Sequence, residues 1–217
     1  MLGLLIKDLQ LIKKQGSIFF LMIIFGVIML KNSDSYVSVY VTYCIVFGGL
    51  LVLNTISYDS FDNGYAYIFT LPVTPRLYVA EKYLLAILGS GVGCVFAIGM
   101  IAVLQGNAGL WERLGFSLGA WLGILLVISI MLPLNLKYGT EKSRILTVVW
   151  VVAVAALMAL VSEFGDVVPL QDAGTQLFQT LEKLGGIGLL LVGGGLTAVV
   201  FLLSMAVSTR IMQKKEF

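Results

Sequence analysis

The chain has 217 residues, of which 59% are hydrophobic and 12% charged, with a net charge of +2 and no histidine. Soluble domains carry roughly 45–50% apolar and 25% charged residues, so a soluble fold could not bury this much apolar surface, and the small net charge marks no nucleic-acid patch. The lack of histidine removes Ser-His and Cys-His nucleophiles, most zinc sites and the usual haem ligands, which disfavours a membrane enzyme.

Met1 to Gln15 places Leu2, Leu5, Leu9 and Ile12 on one helical stripe and Lys7, Gln10 and Lys14 on another. This predicts an amphipathic helix along the inner membrane face, with Lys13 and Lys14 at its end. It serves either as an anchor or as a frame for the entry to a transport path. Apolar blocks then recur at about 20 residues, the length that crosses a hydrocarbon core roughly 30 Å thick. They predict an all-α integral membrane protein, one domain over 1–217, with six spans near 17–30, 36–57, 77–104, 114–136, 145–162 and 186–209. The first span is short, and needs a snorkelling Lys14 or Lys31 to reach both interfaces. The N-terminus resembles a signal peptide without a small-residue cleavage site, so it is expected to be retained.

Between spans two and three, residues 58–73 form the most polar inner loop, rich in aromatic side chains. Asp59 and Asp62 sit near the start of a short helix, where carboxylates suit the positive end of the dipole. Leu71-Pro72 ends that helix, and Thr74-Pro75 reads as the N-cap and first turn of span three. Phe61, Tyr65, Tyr67 and Phe69 on such a helix suit docking into a groove of another protein, or equally an interfacial aromatic belt.

Span four carries Gly115, Gly119 and Gly123 at four-residue spacing, a face open to close helix packing within the chain or between two copies. Residues 133–144 read as a basic inner loop. The outer segment 163–185 is acidic and places Leu177, Phe178, Leu181 and Leu184 at helical spacing, predicting a short extracellular helix before the last span. Gly193-Gly194-Gly195 lies inside that last apolar block, where helix packing is the expected role rather than nucleotide binding. Cys44 and Cys94 fall inside spans as small apolar packing residues, and neither a disulfide framework nor metal spacing is present.

Of the Lys and Arg residues, eleven fall in segments placed inside, while only Lys31, Arg113 and Lys183 fall outside. The bias puts both termini in the cytoplasm and requires an even number of spans. No charged residue lies near the middle of a span, where ion-coupled transporters usually bind protons or ions. There is no G-x-x-x-x-G-K-[ST] phosphate loop either, so any ATP must be hydrolysed by a partner on the cytoplasmic side. A non-transporting scaffold or sensor would share these absences.

Ser57-Tyr58-Asp59, then Leu71-Pro72-Val73-Thr74-Pro75 and Val79-Ala80-Glu81-Lys82-Tyr83, resemble the loop between spans two and three of ABC-2 type transporter permeases. Pro133-Leu134, Lys137-Tyr138-Gly139, Glu141-Lys142 and Arg144, with Ser208 and the closing Lys214-Lys215-Glu216-Phe217, resemble a small-permease branch of Gram-positive bacteria. That branch includes the permeases of phenol-soluble modulin exporters and of bacteriocin self-protection systems. The resemblance implies a six-helix bundle in the bacterial plasma membrane, paired with a second permease subunit and two copies of a cytoplasmic ABC ATPase. It implies that the ATPase, not this chain, holds ATP and Mg, and that the loop from Asp59 to Phe69 is the coupling helix docking on it. It also implies export of amphipathic peptides, with lipid or drug export as the alternative.

Overall fold

The computed structural model describes residues 2–14, 16–32, 36–60, 64–70, 73–106, 109–164 and 185–215. Among them every regular element is helical: α1 (Leu2–Lys14), α2 (Gly16–Asn32), α3 (Val37–Ser60), α4 (Gly64–Thr70), α5 (Pro75–Gln105), α6 (Leu110–Phe164) and α7 (Gly185–Gln213). Four helical stretches are long and apolar enough to cross a membrane: Val37–Ser60, Pro75–Gln105, Trp111–Gly139 and Gly188–Gln213. α2 is a shorter apolar helix, apolar from Phe20 to Lys31. The span expected at 145–162 lies on the second limb of α6, whose backbone stays helical to Phe164. The expected extracellular helix around 177–184 lies outside the described residues.

The start of α5 follows its sequence signals. Thr74 is extended, with φ −85° and ψ 149°, and its hydroxyl accepts from the Leu77 N–H at 3.4 Å. Pro75 occupies the first turn, where a missing N–H costs nothing. α6 differs from expectation, because the inner loop read at 133–144 is largely helix. Its backbone breaks at a single residue, Gly139, whose φ of 76° only glycine adopts easily.

Pro133 inside α6 cannot donate to the carbonyl four residues back, that of Ser129. A backbone acceptor left bare in a membrane is costly, and here α7 supplies the donor. Ser204 Oγ donates to the Ser129 carbonyl, and Tyr83 OH of α5 lies 2.6 Å from Ser204 Oγ and 2.8 Å from Ser208 Oγ. Taken in the order Ser208 to Tyr83 to Ser204 to Ser129, each hydroxyl donates once. The helix defect thereby becomes a tie between α5, α6 and α7.

α3 and α5 pack backbone to backbone. A Cβ on Gly89 would sit 2.5 Å from the Gly48 carbonyl oxygen, and one on Gly48 or Gly93 would run into the carbonyls of Gly89 or Cys44. This is the close approach expected of Gly115, Gly119 and Gly123, realised on other glycines. At those three positions no described atom lies within 4 Å of an added Cβ, so they make no tight contact within the described chain. In the 193–195 run, an added Cβ meets a described atom only at Gly194, where Leu122 lies at 3.9 Å, an ordinary contact. Cys44 and Cys94 are free and buried, as expected of packing thiols. The outward flanks of α2, α5 and α7 are apolar, with Phe20, Val95, Leu191 and Leu202 exposed, which suits hydrocarbon rather than water.

Candidate functional site

Five charged side chains meet where α1, α3 and the start of α5 converge. Lys82, two turns into α5, is 0% exposed. Its ammonium pairs with Asp8 of α1, with Asp59 of α3 at 2.8 Å and with its neighbour Glu81 at 3.6 Å, and donates to Thr55 Oγ1 at 3.2 Å. Lys7 closes the cluster from the rim, pairing with Asp59 and, at 3.2 Å, with Asp8. Tyr78, one turn before Lys82, donates its hydroxyl to Asp59 Oδ2 at 2.9 Å, and its ring centre lies 5.1 Å from the Lys82 ammonium. Asp8 and Glu81 are also 0% exposed, and Asp59 is 5% exposed.

An isolated charge in an apolar medium is prohibitively costly, so these groups are tolerable only together. Their partners come from three helices. The cluster therefore fixes where α1 sits against the bundle and where α3 ends relative to α5. It has no nucleophile and base pair, and no group of three metal-ligating side chains occurs among the described residues. What its contacts show is a structural role: they hold α1, α3 and α5 in register.

Asp8 shows the balance of forces. Burial pushes its carboxyl up from the ordinary 3.8, but Lys82 and Lys7 outweigh burial and the net shift is downward. Lys7 is likewise pulled down by burial and raised above 10.5 on balance by Asp59 and Asp8. Because the folded value of Asp8 is depressed, its contribution to stability is complete above 3.8 and disappears as pH falls through the lowered value. For Lys7 the contribution is complete below 10.5 and is lost as pH rises through the raised value. Thermal unfolding of the purified chain should thus show a steep fall in melting temperature on acidification below 3.8. In Asp8→Asn, which has already lost the interaction, that fall should be shallower; parallel acid limbs would exclude Asp8 as its source.

The short helix α4 stands directly on this cluster. A Cβ on Gly64, its first residue, would lie 2.6 Å from the Asp59 carbonyl oxygen, so the turn from α3 is tight. Tyr65 is buried, edge-on to Tyr78 at 5.9 Å between ring centres, and burial raises its hydroxyl to about 12, so it stays protonated. Lys215, from the C-terminal end, lies 4.7 Å from the Tyr65 ring centre and donates to the Leu136 carbonyl at 3.1 Å. Phe69 is half-buried, its ring 6.1 Å from that of Tyr78.

The residues expected on the docking helix fall on different faces of the structure. Asp59 belongs to the last turn of α3, which runs three residues beyond the expected span, and it faces inward. Tyr65 and Phe69 also face the core, because Tyr78 offers them an apolar ring there. Tyr67, 73% exposed, is the aromatic that α4 presents outward, together with Tyr58 from α3. Phe61 and Asp62 lie outside the described residues.

On α1, Leu2 opens the helix, Leu5 is half-buried, and Lys13 and Lys14 are exposed. The innermost residues are Leu4 and Asp8, whereas Leu9 is exposed. Asp8, paired with Lys82, is thus the most deeply buried position of α1 together with Leu4. Asp8 and Thr55 carried no sequence expectation. The available signal was an acid at the centre of an otherwise apolar stripe, four residues from both Leu4 and Ile12.

A family described as ABC-2 family transporter protein matches residues 3–213 of the chain. No curated protein and no solved structure matches it.

Proposed function

From its membership of the ABC-2 transporter family, we propose that this chain is the permease half of an exporter that moves amphipathic peptides out of the cytoplasm or inner leaflet. The family implies an ABC ATPase as partner. In this reading the bundle crosses the bacterial plasma membrane six times, both termini are cytoplasmic, and a second permease subunit completes the pathway. The glycine face of Gly115, Gly119 and Gly123 is one surface open to that subunit. ATP and Mg reside on two ATPase copies, and this chain binds neither.

The observation that carries the reading is the stacking of α4 on the buried ion cluster. Tyr67 offers an aromatic anchor outward, while Tyr65 behind it touches Tyr78, and Tyr78 holds Asp59. Movement of a docked ATPase would pass from α4 to α3, α5 and, through Lys82 and Asp8, to α1. An amphipathic helix held against the bundle in this way suits a substrate that is itself amphipathic and arrives along the inner leaflet.

The direct test is ATP hydrolysis by the chain purified with its ATPase, with amphipathic helical peptides added. Stimulation by such peptides, and not by lipids or apolar drugs, is the expected result; the opposite pattern would make it a lipid or drug exporter. Tyr67→Ala should cut stimulated hydrolysis by about 30-fold, the effect of losing an interface anchor worth roughly 2 kcal/mol, with insertion unchanged. Full stimulation in this variant would remove α4 from the ATPase contact. For topology, a cysteine replacing Gln171 should react with an impermeant thiol reagent in intact cells, and one replacing Lys142 should not. The reverse pattern would invert the orientation.

A further inference from the structure

Between α1 and the pair α3 and α5 lies a cavity of about 250 Å³. Leu5, Leu9 and Ile12 of α1 form one wall, and Gly48, Gly89 and Gly93, at the close α3–α5 contact, line the side opposite with Leu51, Val52 and Leu85. No polar side chain lines it among the described residues. A cavity this apolar offers water no partners and stays dry, and left empty it forfeits the dispersion contacts of every lining atom. Hydrocarbon is the filling that both conditions select.

The position of the mouth selects the source. Leu88 and Val92 of α5 and Leu9 of α1 line the cavity and are also 50%, 57% and 56% exposed, so it opens through the outer flank of a spanning helix. In a membrane that flank faces lipid tails. Lys13 and Lys14 are exposed directly after Ile12, at the α1 end of the same wall. Their charge complements an anionic headgroup at the end of a chain lying inside.

We infer that this cavity is a binding site for one acyl chain of an anionic membrane phospholipid, clasped between α1 and the α3–α5 pair. The lipid completes the packing of α1, which is otherwise held by the ion cluster at Asp8. The inference rests on the membrane placement of the chain alone and is independent of what the exporter carries.

The test is native mass spectrometry of the full chain, reconstituted in vesicles of equal phosphatidylglycerol and phosphatidylcholine and released in mild detergent. Wild type should retain a single phospholipid, with phosphatidylglycerol favoured. Val92→Trp, which fills the mouth, should lower retention about tenfold. Val95→Trp, an exposed position outside the cavity lining, should leave retention unchanged and controls for folding. Replacing Lys13 and Lys14 together by glutamine should abolish the preference for phosphatidylglycerol while a chain is still retained.

No retained lipid on wild type, or equal retention in the two tryptophan variants, would overturn the site. A preference that survives loss of both lysines would overturn the headgroup assignment. An added amphipathic peptide that is retained in place of lipid, and is lost in Val92→Trp, would make the occupant a peptide and overturn the lipid proposal. None of these readings requires ATP or an ATPase.

Discussion

Lys82→Met should destabilise the folded chain by about 3–5 kcal/mol, the usual cost of removing one partner from a buried ion pair. Lys82 contacts Asp8, Asp59 and Glu81, and without its ammonium only Lys7, at the partly exposed rim, pairs with Asp8 and Asp59, while buried Glu81 loses its ion pair. Against a typical total of 5–15 kcal/mol, that loss removes a large part of stability. The expected readout is a sharp drop in the fraction that stays monodisperse on heating in detergent, and low abundance in membranes. The double change Lys82→Met with Asp8→Leu should recover much of it. One cation and one carboxylate leave together, and replacing a buried pair by apolar groups is often neutral. If Lys82→Met melted like wild type, the cluster would not be what seats α1. If the double variant were as unstable as the single one, the loss would lie in shape rather than charge.

Gly48→Ala should be strongly destabilising. The new Cβ would run into the Gly89 carbonyl oxygen, a backbone atom that cannot swing aside, so α3 and α5 must separate. Overpacking of this kind costs about 1–3 kcal/mol and sometimes more. The same substitution at Gly99, where nothing lies within 4 Å, should be neutral or slightly stabilising, because alanine is the better helix former by about 1 kcal/mol. The pair of melting curves checks the contact: a shift at Gly48 with none at Gly99 is expected. Equal curves would show that the two helices do not touch there.

How much of this was legible in the sequence depends on what kind of force sets each feature. Helix starts governed by local chemistry were readable, as Thr74 and Pro75 at the head of α5 show. Apolar length located the long spans to within a few residues, because the thickness of hydrocarbon imposes it from outside. Choices that depend on a distant partner were not readable. Glycines at four-residue spacing permit close packing anywhere, and only the pairing of α3 with α5 decides that Gly48, Gly89 and Gly93 make the tight contact among the described residues, while Gly115, Gly119 and Gly123 meet no described atom. Asp59 and Tyr65 looked like surface residues of a polar loop. Lys82 and Tyr78, from beyond that loop, draw them inward. Pro133 looked like the edge of a loop for a similar reason, since the serine that repairs its missing bond is 71 positions away by number (204 − 133) on α7.

The bond between Asp8 and Lys82 spans 74 positions of the chain. At synthesis rates of roughly 5–20 residues per second, about 4 to 15 s separate the appearance of these two residues. During that interval the first helix has emerged without the cation that will seat it, and its acidic residue can be satisfied only by water, headgroups or neighbouring Lys7. The Asp8–Lys82 bond that seats α1 against the bundle can therefore form only after the head of α5 has been made.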